Sequence, residues 1–396
     1  MLSPEEAWRR LEPWLRPLPP IARSRREALD AVLARRLAAT SDLPQADVSA
    51  LDGFALASDL EAGAELPILG VVAAGDPPGA TLSAGAALRI MTGAPVPVGA
   101  DRVVAVERTE TRGDRVVLTE AGPEAGHAIR RRGEVLAAGS TLLEAGARLG
   151  PAALSLLASQ GIDRLEVHRA PRVAVLATGD EVVPPDEEPP PGGLRDSHTD
   201  LLLASGRRLG LRFDTLGIAR DDPEELETRL RGGLEADVLL TCGGVSAGEF
   251  DHSERVLARL GATFLFDAVA IRPGKPLVAA RRGETLVFGL PGNPASVLAT
   301  FRLFVVPALD RLRGGDAAFW SDAFAVELAG ALPAGKGGRD RFVPARLEAT
   351  GATPRALPVR EAGSHDLAAW AGAELMLRVR ADDPARGPGD LVEAIR

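Results

Sequence analysis

Asp-Val-Leu-Leu-Thr-Cys-Gly-Gly-Val-Ser-Ala-Gly-Glu-Phe-Asp, residues 237–251, is the stretch that decides the fold. Its apolar beginning is typical of a strand buried on both faces of a parallel sheet. Three glycines follow it: Gly243, Gly244 and Gly248. Glycines let backbone N–H groups approach an anion closely, and Ser246 adds a hydroxyl. Asp251 stands at a spacing suited to holding Mg²⁺ against a bound phosphate. The stretch predicts a phosphate and metal site at a strand end, although the first two glycines alone would also fit a plain tight turn.

Residues 171–312 repeat the order of strand, loop and helix. The predicted strands cover 172–177, 212–217, 237–241 and 285–290, and the predicted helices cover 196–209, 221–232, 253–260 and 293–312. Ser197 and Asp200 predict a capping box at the start of the first helix, and Asn293 with Pro294 predicts the start of the last. The repetition predicts a doubly wound parallel sheet, which binds ligands at the carboxyl ends of its strands.

The rest of the chain predicts further domains. Ser3, Pro4 and Glu6 predict a helix that runs to about Leu15, and residues 25–39 predict a second one. Short β-branched runs then alternate with Gly/Pro turns. We therefore expect a multi-domain α/β plus β protein. Its parts would be an elongated N-terminal α/β unit (1–43 and 136–168), an inserted β-rich domain (44–135), the doubly wound domain (169–315) and a small C-terminal β-barrel (316–396).

The composition excludes several classes of protein. The chain has 396 residues and a net charge of −9, which argues against a nucleic-acid binder because that role needs an extended basic face. No apolar run reaches the roughly 18–20 residues of a membrane helix, and the acidic N-terminus lacks the apolar region of a signal peptide. The single Cys242 cannot form an intrachain disulfide. We expect a cytoplasmic protein with no membrane or nucleic-acid partner.

Two further strand ends carry polar motifs. Leu290–Pro294 closes a strand and opens a helix, whose free N–H groups could face an anion. Asn293 and Pro294 would suffice for a capped helix start, but Pro291-Gly292 goes beyond that need. Asp180 and Glu181 follow the first strand of the doubly wound domain, where they could bind a metal or position a substrate. Charge at a helix N-terminus is the alternative interpretation of these two carboxylates.

The lysines are unusually rare, since only Lys275 and Lys336 occur among 46 basic residues. A lysine that is retained in such an arginine-rich chain indicates a position where arginine cannot replace lysine. Lys275 lies with Arg272 between prolines, which limit the freedom of the loop. This pattern favours a functional Lys275 over a solvated basic turn, whereas Lys336 lies in a Gly-rich segment that predicts a turn.

Taken in order, the motifs resemble one family, the MoeA/gephyrin-type molybdopterin molybdenumtransferases. Ser-Ala-Leu-Asp-Gly-Phe-Ala (49–55) resembles the family's Ser-Ala-Met-Asp-Gly-Tyr-Ala, and Arg-Ile-Met-Thr-Gly-Ala-Pro-Val-Pro (89–97) matches the family outright. Asp-Ser-His (196–198) resembles its Asp-Ser-Asn element. Further matching segments lie at 178–181, 243–251, 273–276 and 290–294. The resemblance covers essentially the whole chain.

This resemblance implies four domains per subunit and a homodimer. The active cleft would lie between the α/β domain of one subunit and the β-rich domain of the other. The implied reaction takes adenylylated molybdopterin and molybdate as substrates, with Mg²⁺ or a similar divalent ion, and releases AMP while the dithiolene binds molybdenum. Implied partners are a molybdopterin adenylyltransferase and enzymes that accept the cofactor.

The resemblance also implies roles for individual residues. Asp52, Thr92, Glu181 and Lys275 would be catalytic, and Asp251 with Glu181 would hold the metal. The residues implied to bind substrate are Asp180, Ser197, Gly243, Gly244, Ser246, Gly248, Arg272, Pro291, Gly292, Asn293 and Ser364.

The chain departs from the family pattern at several positions. Arg272 replaces a lysine, which keeps the charge but changes its geometry, and Phe54 replaces a tyrosine. Val135 stands where the family usually has Asp, so a carboxylate role is not carried over to it. Arg341 and Pro344 stand where the family has Glu and a second Arg, which removes an expected contact of the C-terminal domain to substrate.

Two alternative functions remain open from the sequence. A molybdopterin adenylyltransferase shares the Gly-Gly-x-Ser loop, but the N-terminal 150 residues and the C-terminal domain argue against that assignment. A molybdopterin-binding scaffold or a weakened paralogue would keep affinity for the pterin and fail to insert metal.

Overall fold

A computed structural model describes residues 1–243, 252–350 and 353–396. Its contacts divide the chain into two compact units, one of residues 1–22, 30–34 and 166–396 and the other of residues 23–29 and 35–165. The helices are Pro4–Leu11 (α1), Pro151–Ser159 (α2), His198–Arg208 (α3), Pro223–Gly233 (α4), His252–Arg259 (α5), Pro294–Thr300 (α6), Val306–Leu312 (α7) and Leu367–Ala371 (α8). No helix of the described residues combines the length and the apolar character needed to cross a membrane.

The strands up to residue 168 are mostly short. In chain order they are Pro20–Ser24 (β1), Leu37–Ala38 (β2), Val48–Ser49 (β3), Gly53–Leu56 (β4), Glu65–Val72 (β5), Ala87–Ile90 (β6), Arg102–Ala105 (β7), Thr109–Arg112 (β8), Arg115–Leu118 (β9), Ile129–Arg130 (β10), Thr141–Leu143 (β11) and Arg164–His168 (β12). Six of them form one sheet in the order β7-β4-β6-β5-β9-β8. This sheet confirms a β-rich region, while the predicted boundaries at 43/44 and 135/136 stay predictions.

The strands of the following α/β region are Val173–Thr178 (β13), Val182–Val183 (β14), Leu194–Arg195 (β15), Phe213–Ala219 (β16), Val238–Cys242 (β17), Thr263–Phe266 (β18), Ile271–Arg272 (β19), Val278–Arg282 (β20) and Thr285–Leu290 (β21). Six of them form a sheet in the order β16-β13-β17-β21-β20-β18. The first four are parallel, as predicted, and β20 and β18 continue the sheet antiparallel. The carboxyl ends of the four parallel strands therefore meet at one edge.

Helices cover both faces of this sheet, which explains the unbroken apolar runs of its central strands. Val175 and Leu240 face a core shared with α1, α3, α6 and α7. Leu176 and Leu239, one residue away on the same strands, face a second core with α4 and α5. Successive side chains of a strand point to opposite faces, so the two cores follow directly from the alternation.

The C-terminal region forms a closed five-stranded barrel, as predicted. Its strands are Phe324–Leu328 (β22), Asp340–Thr350 (β23), Thr353–Pro358 (β24), Leu375–Val379 (β25) and Leu391–Ile395 (β26). They follow one another as β23-β24-β22-β26-β25, and β25 pairs again with β23 to close the ring. β19 of the α/β region lies parallel to β23 and joins the barrel to the loop that carries Lys275.

The predicted helix over residues 25–39 is wrong. Only one 3₁₀ turn forms, at Arg25–Glu27, and Asp30 adopts a left-handed backbone conformation with φ of 59°. The Ala34 and Ala39 N–H groups donate to carbonyls more than 100 residues away instead of to a helical neighbour. Long-range pairing has overridden a modest local helix propensity. The first predicted helix does begin with the capping box of Ser3 and Glu6, but its α-helical part ends at Leu11 and continues only as a 3₁₀ turn.

Two other helix predictions need correction. Ser197 makes no capping hydrogen bond with its side chain, and the predicted capping box with Asp200 is absent. Asp196 caps α3 instead, because its Oδ1 accepts from the His198 and Thr199 N–H groups, both at 3.0 Å. The single helix predicted over 293–312 contains a π-helical turn at Phe301–Val305. Pro307 lacks an N–H group and lies two residues after the end of that turn, which accommodates the interrupted hydrogen bonding.

Candidate functional site

Close backbone approach at the sheet edge explains one of the predicted glycines, Gly243. It follows β17 with φ of +89°, and a Cβ there would lie 2.7 Å from the carbonyl oxygen of Thr178 at the end of β13. The ends of β13 and β17 therefore approach each other as only glycine permits. A Cβ at Gly292, after β21, would lie 3.9 Å from the Cα of Gly243, which is an ordinary contact, so close approach does not explain that glycine.

The loops after β19 and β21 line a pocket of about 590 Å³. Six residues predicted from the sequence take part in its lining: Arg272, Lys275, Pro291, Gly292, Asn293 and Ser364. Among the described residues, no Asp or Glu side chain belongs to this lining. A concave surface with cationic side chains and no carboxylate favours an anionic ligand.

The cations of this pocket are available to a ligand. Arg272 and Lys275 are both exposed, and neither has a hydrogen-bonding or ion-pairing partner for its side chain in the described part of the chain. Pro273 and Gly274 between them are buried, and a Cβ at Gly274 would lie 2.5 Å from Thr300. The backbone of the loop is thus fixed against α6 while its two charged side chains extend outwards.

Asn293 occupies the N-cap position of α6, as predicted, but its side chain makes no capping hydrogen bond. Helix capping by the side chain therefore does not account for an asparagine at this position, and its amide group remains available to a ligand. The Ser364 carbonyl accepts a hydrogen bond of 3.1 Å from the Ala295 N–H group, which fixes the segment around Ser364 beside the start of α6.

Three polar residues of the pocket were not assigned to the site from the sequence. They are Ser296, Arg339 and His365. Arg339 belongs to a Gly-Arg segment that resembles the family, so the signal was present in the sequence without pointing to this pocket. Ser296 and His365 carry no local pattern, and only the tertiary structure places them there.

Carboxylates gather at the ends of β13 and β16. The Asp221 N–H group donates to Asp180 Oδ1 at 3.2 Å. Burial, and then the neighbouring charges of Asp180 and Glu181, raise the pKa of Asp221. A Cβ at Gly179 would lie 2.6 Å from Glu181 Oε2, so the Glu181 side chain lies back over the glycine. The described residues contain no group of three or more metal-ligating side chains.

Asp52 and Thr92 lie together in the β-rich unit. Gly53 pairs with Ile90 across β4 and β6, which brings the residue before one strand next to the end of the other. Asp52 Oδ1 accepts from the Thr92 N–H group at 2.6 Å and from its hydroxyl at 2.7 Å. Both hydrogen bonds lower the pKa of Asp52, and the one from the Thr92 backbone has the larger effect. They keep the exposed carboxylate charged.

Several predicted positions lie outside the described residues or show no site geometry. Gly244, Ser246, Gly248 and Asp251 are outside the described residues. Ser197 is exposed beside the Asp196 cap of α3. Their proposed roles stay predictions.

Residues 130–132 are three consecutive arginines, and two of them form ion pairs with aspartates. Arg131 Nη1 lies 2.6 Å from Asp47 Oδ2, and Arg132 Nε lies 2.5 Å from Asp42 Oδ2.

Val135, which replaces a family Asp, is exposed. In the barrel, Arg341 lies 3.3 Å from the buried carboxylate of Glu361, and Pro344 pairs with Met376 in the sheet.

Comparisons with known proteins agree with this arrangement along the whole chain. Residues 2–161 match the MoeA N-terminal region (domain I and II), residues 174–311 match a probable molybdopterin binding domain, and residues 326–396 match the MoeA C-terminal region (domain IV). A molybdopterin molybdenumtransferase of Nostoc sp. is 38% identical over 303 residues, which cover 74% of this chain and 69% of that protein. The corresponding protein of Synechococcus elongatus is 41% identical over 297 residues, 72% of this chain and 73% of that protein.

The solved structures lead to the same family. A molybdopterin biosynthesis MoeA protein from Pyrococcus horikoshii superposes with a TM-score of 0.84 at 25% identity, covering 100% of this chain and 99% of that one. Sequence, domain order and fold agree, and the chain therefore belongs to the MoeA family of molybdopterin molybdenumtransferases, enzymes of molybdenum cofactor biosynthesis.

Proposed function

We propose that this protein inserts molybdate into adenylylated molybdopterin and releases AMP. The observation that carries the proposal is the pocket lined by Arg272, Lys275 and Arg339, which collects three cations and no carboxylate among the described residues. Molybdate is a tetrahedral dianion, and in an acidic chain only such a local group of cations can hold it. The pocket adjoins the strand ends at which a doubly wound sheet binds its ligands.

The reaction joins anions, so positioning and charge neutralisation are the main tasks of the protein. Lys275 would hold molybdate as a mobile point charge, whereas Arg272 and Arg339 offer planar forks suited to two oxygens at once. The hydroxyls of Ser296 and Ser364 and the Asn293 amide would complete the coordination of its oxygens. Water then cleaves the phosphoanhydride and frees AMP. The two dithiolene sulfurs bind molybdenum in place of one of its oxygens, which leaves as water.

Asp52 would act from the β-rich region of the protein. Its two hydrogen bonds from Thr92 use one carboxylate oxygen and fix the orientation of the group. A charged, oriented carboxylate can accept a proton or position the metal-bearing end of a substrate. The homodimer implied by the family would bring this carboxylate to the α/β domain of the partner subunit.

Mg²⁺ is the proposed divalent ion, with Glu181 and Asp251 as its protein ligands. The carboxylates of Asp180, Glu181 and Asp221 fit this role because oxygen donors suit Mg²⁺. Burial, and then the negative charge of Asp180, raise the pKa of Asp221. Mg²⁺ commonly uses only one or two carboxylates together with substrate phosphates, so a cluster of three protein ligands is not required. When bound, the ion would neutralise phosphate charge.

The protein would work as a homodimer in the cytoplasm. It would receive its substrate from a molybdopterin adenylyltransferase and pass the product to cofactor-accepting enzymes. These assignments rest on membership of the family, and the subunit state can be measured directly by light scattering.

The decisive experiment measures AMP release from adenylylated molybdopterin in the presence of molybdate and Mg²⁺. Asp52→Ala and Asp251→Ala should each abolish it and leave the fold intact. Asp214→Ala serves as the control, because this aspartate forms an exposed pair with Arg212 away from the pocket lining. Unchanged turnover in both site variants would refute the assignment of the site.

The same preparation distinguishes the alternative functions. Formation of adenylylated pterin from Mg-ATP would identify an adenylyltransferase. Binding of the pterin without metal insertion under any of these conditions would identify a scaffold or a weakened paralogue.

A further inference from the structure

A second pocket of about 340 Å³ adjoins the first one in the same unit and shares two arginines with it. Arg272 and Arg339 belong to the lining of both pockets, and Lys336 and Arg341 line only the second. The two lysines of the chain therefore line one pocket each: Lys275 lines the first and Lys336 the second. No Asp or Glu side chain of the described residues is part of the second lining.

Strand geometry explains why these cations share a face. Lys336 and Arg339 are bridge partners across a two-residue turn in which Gly337 and Gly338 have φ of +78° and +63°. Paired residues of a hairpin project to the same side, and Arg341 follows Arg339 at the same parity. Asp340, between them, points the other way and binds Arg378.

The neighbouring strand adds a fourth cation to this face. Arg272 of β19 is the register partner of Arg341 in β23. Like charges side by side in a sheet are destabilising, and Glu361 relieves only part of that repulsion, since it lies 3.3 Å from Arg341 and its Oε2 has no hydrogen-bond partner. An anionic ligand between the arginines would relieve the rest.

The turn that carries Lys336 is held in place before any ligand arrives. The Gly335 N–H group donates to the Asp383 carbonyl at 2.9 Å. A Cβ at Gly335 would lie 1.9 Å from the Arg380 carbonyl oxygen, so only glycine allows this approach. A fixed turn lowers the ordering cost of binding.

The charge of the two pockets exceeds what one oxyanion can balance. Five cationic side chains line them, and the Glu361 carboxylate offsets one, which leaves a formal charge of +4 with His365 counted as neutral. A molybdate dianion balances half of this charge. A phosphomonoester, which carries close to two negative charges near neutral pH, balances the other half.

We propose that the second pocket binds the phosphate group of a phosphomonoester while an oxyanion occupies the first pocket. The identity of that phosphomonoester as AMP rests on the proposed function. Arg272 and Arg339 lie between the two ligands and contact both. The second pocket thereby holds the leaving group next to the metal oxyanion.

The test is a calorimetric titration of the full-length protein with AMP in the presence of saturating molybdate at constant ionic strength. Wild-type protein should bind AMP without losing molybdate. Lys336→Gln removes one charged contact and should weaken AMP binding roughly ten- to hundredfold, while molybdate affinity stays unchanged. Lys275→Gln should weaken molybdate binding by a similar factor and spare AMP.

Arg346→Gln is the matched control, because this exposed arginine of β23 lines neither pocket; it should alter neither affinity. Unchanged AMP affinity in Lys336→Gln would overturn the proposal, and so would competition between AMP and molybdate in the wild-type protein. Failure of the transferase assay with intact AMP binding in the second pocket would instead count against the proposed reaction alone.

Discussion

Arg378→Met tests the buried ion network behind the pocket arginines. Arg378 Nε donates to Asp340 Oδ2 at 2.8 Å, and one of its terminal nitrogens binds both Asp340 and Glu5 of α1. The guanidinium carbon lies 5.1 Å from the centre of the Phe319 ring. The Arg378 side chain is only 5% exposed and that of Asp340 only 13%. The variant would leave the Asp340 carboxylate almost buried and without its cation.

The expected loss follows from this burial. Removing one partner of a buried ion pair costs about 3–5 kcal/mol of unfolding free energy, because the remaining charge stays poorly solvated. A pair exposed to water contributes at most about 1 kcal/mol. Arg380→Met is the matched control, since its partner is Glu393 and their side chains are 51% and 46% exposed. The double variant Arg378→Met/Asp340→Asn should recover more than half of the loss, because no charge is then stranded.

Urea unfolding at pH 7.5, followed by tryptophan fluorescence, measures these differences. Trp320 is a suitable reporter because its ring lies 5.8 Å from the Arg378 guanidinium carbon. Equal, small losses for Arg378→Met and Arg380→Met would refute the argument that burial decides the cost. A double variant as unstable as the sum of its two single variants would refute the role assigned to the stranded charge.

Three further predictions concern the site itself. Gly243→Ala should destabilise the protein more than Gly161→Ala, which has a similar φ but open space around it. The control substitution should cost roughly 1–2 kcal/mol, whereas the Cβ at 243 also meets the Thr178 carbonyl. Asp221→Asn should be more stable than wild type at pH 7. The pKa of Asp221 is raised in the folded protein, so ionisation of this carboxyl group lowers the free energy of unfolding as pH rises above the ordinary pKa of 3.8. Asparagine does not ionise and avoids that loss. Thermal melts from pH 7 towards pH 4 should show the difference shrinking, and a constant difference would contradict it. Lys275→Arg should lower molybdate-dependent AMP release with little change in unfolding free energy; wild-type kinetics would argue that a lysine is not required there.

The order of elements in the α/β region could be read from the sequence, because each signal is local. Apolar runs such as 238–240 have no other stable environment than a strand buried on both faces. Pro223 at the start of α4 and Pro294 at the start of α6 mark helix beginnings by the same local physics. The motifs at the strand ends then identified the family.

Predictions failed where distant partners decide the backbone. Residues 25–39 have acceptable helix propensity, yet the N–H groups of Arg25, Ala34 and Ala39 pair with segments far along the chain. The hydrophobic periodicity predicted one continuous helix over 293–312. The π-helical turn at Phe301–Val305 within it depends on tertiary packing. Neither outcome has a signal within a short window of sequence.

The sequence by itself determined the family, the doubly wound sheet and the C-terminal barrel, and it singled out Lys275 as a candidate site residue, since these follow from local pattern and composition. Only the tertiary structure decided that Arg339, Ser296 and His365 join Lys275 in one pocket, and that Lys336 lines the next. For Arg339 and Lys336 the physical reason is the register between β19 and β23. That pairing brings residues more than sixty positions apart to one face, and no periodicity within either segment records it.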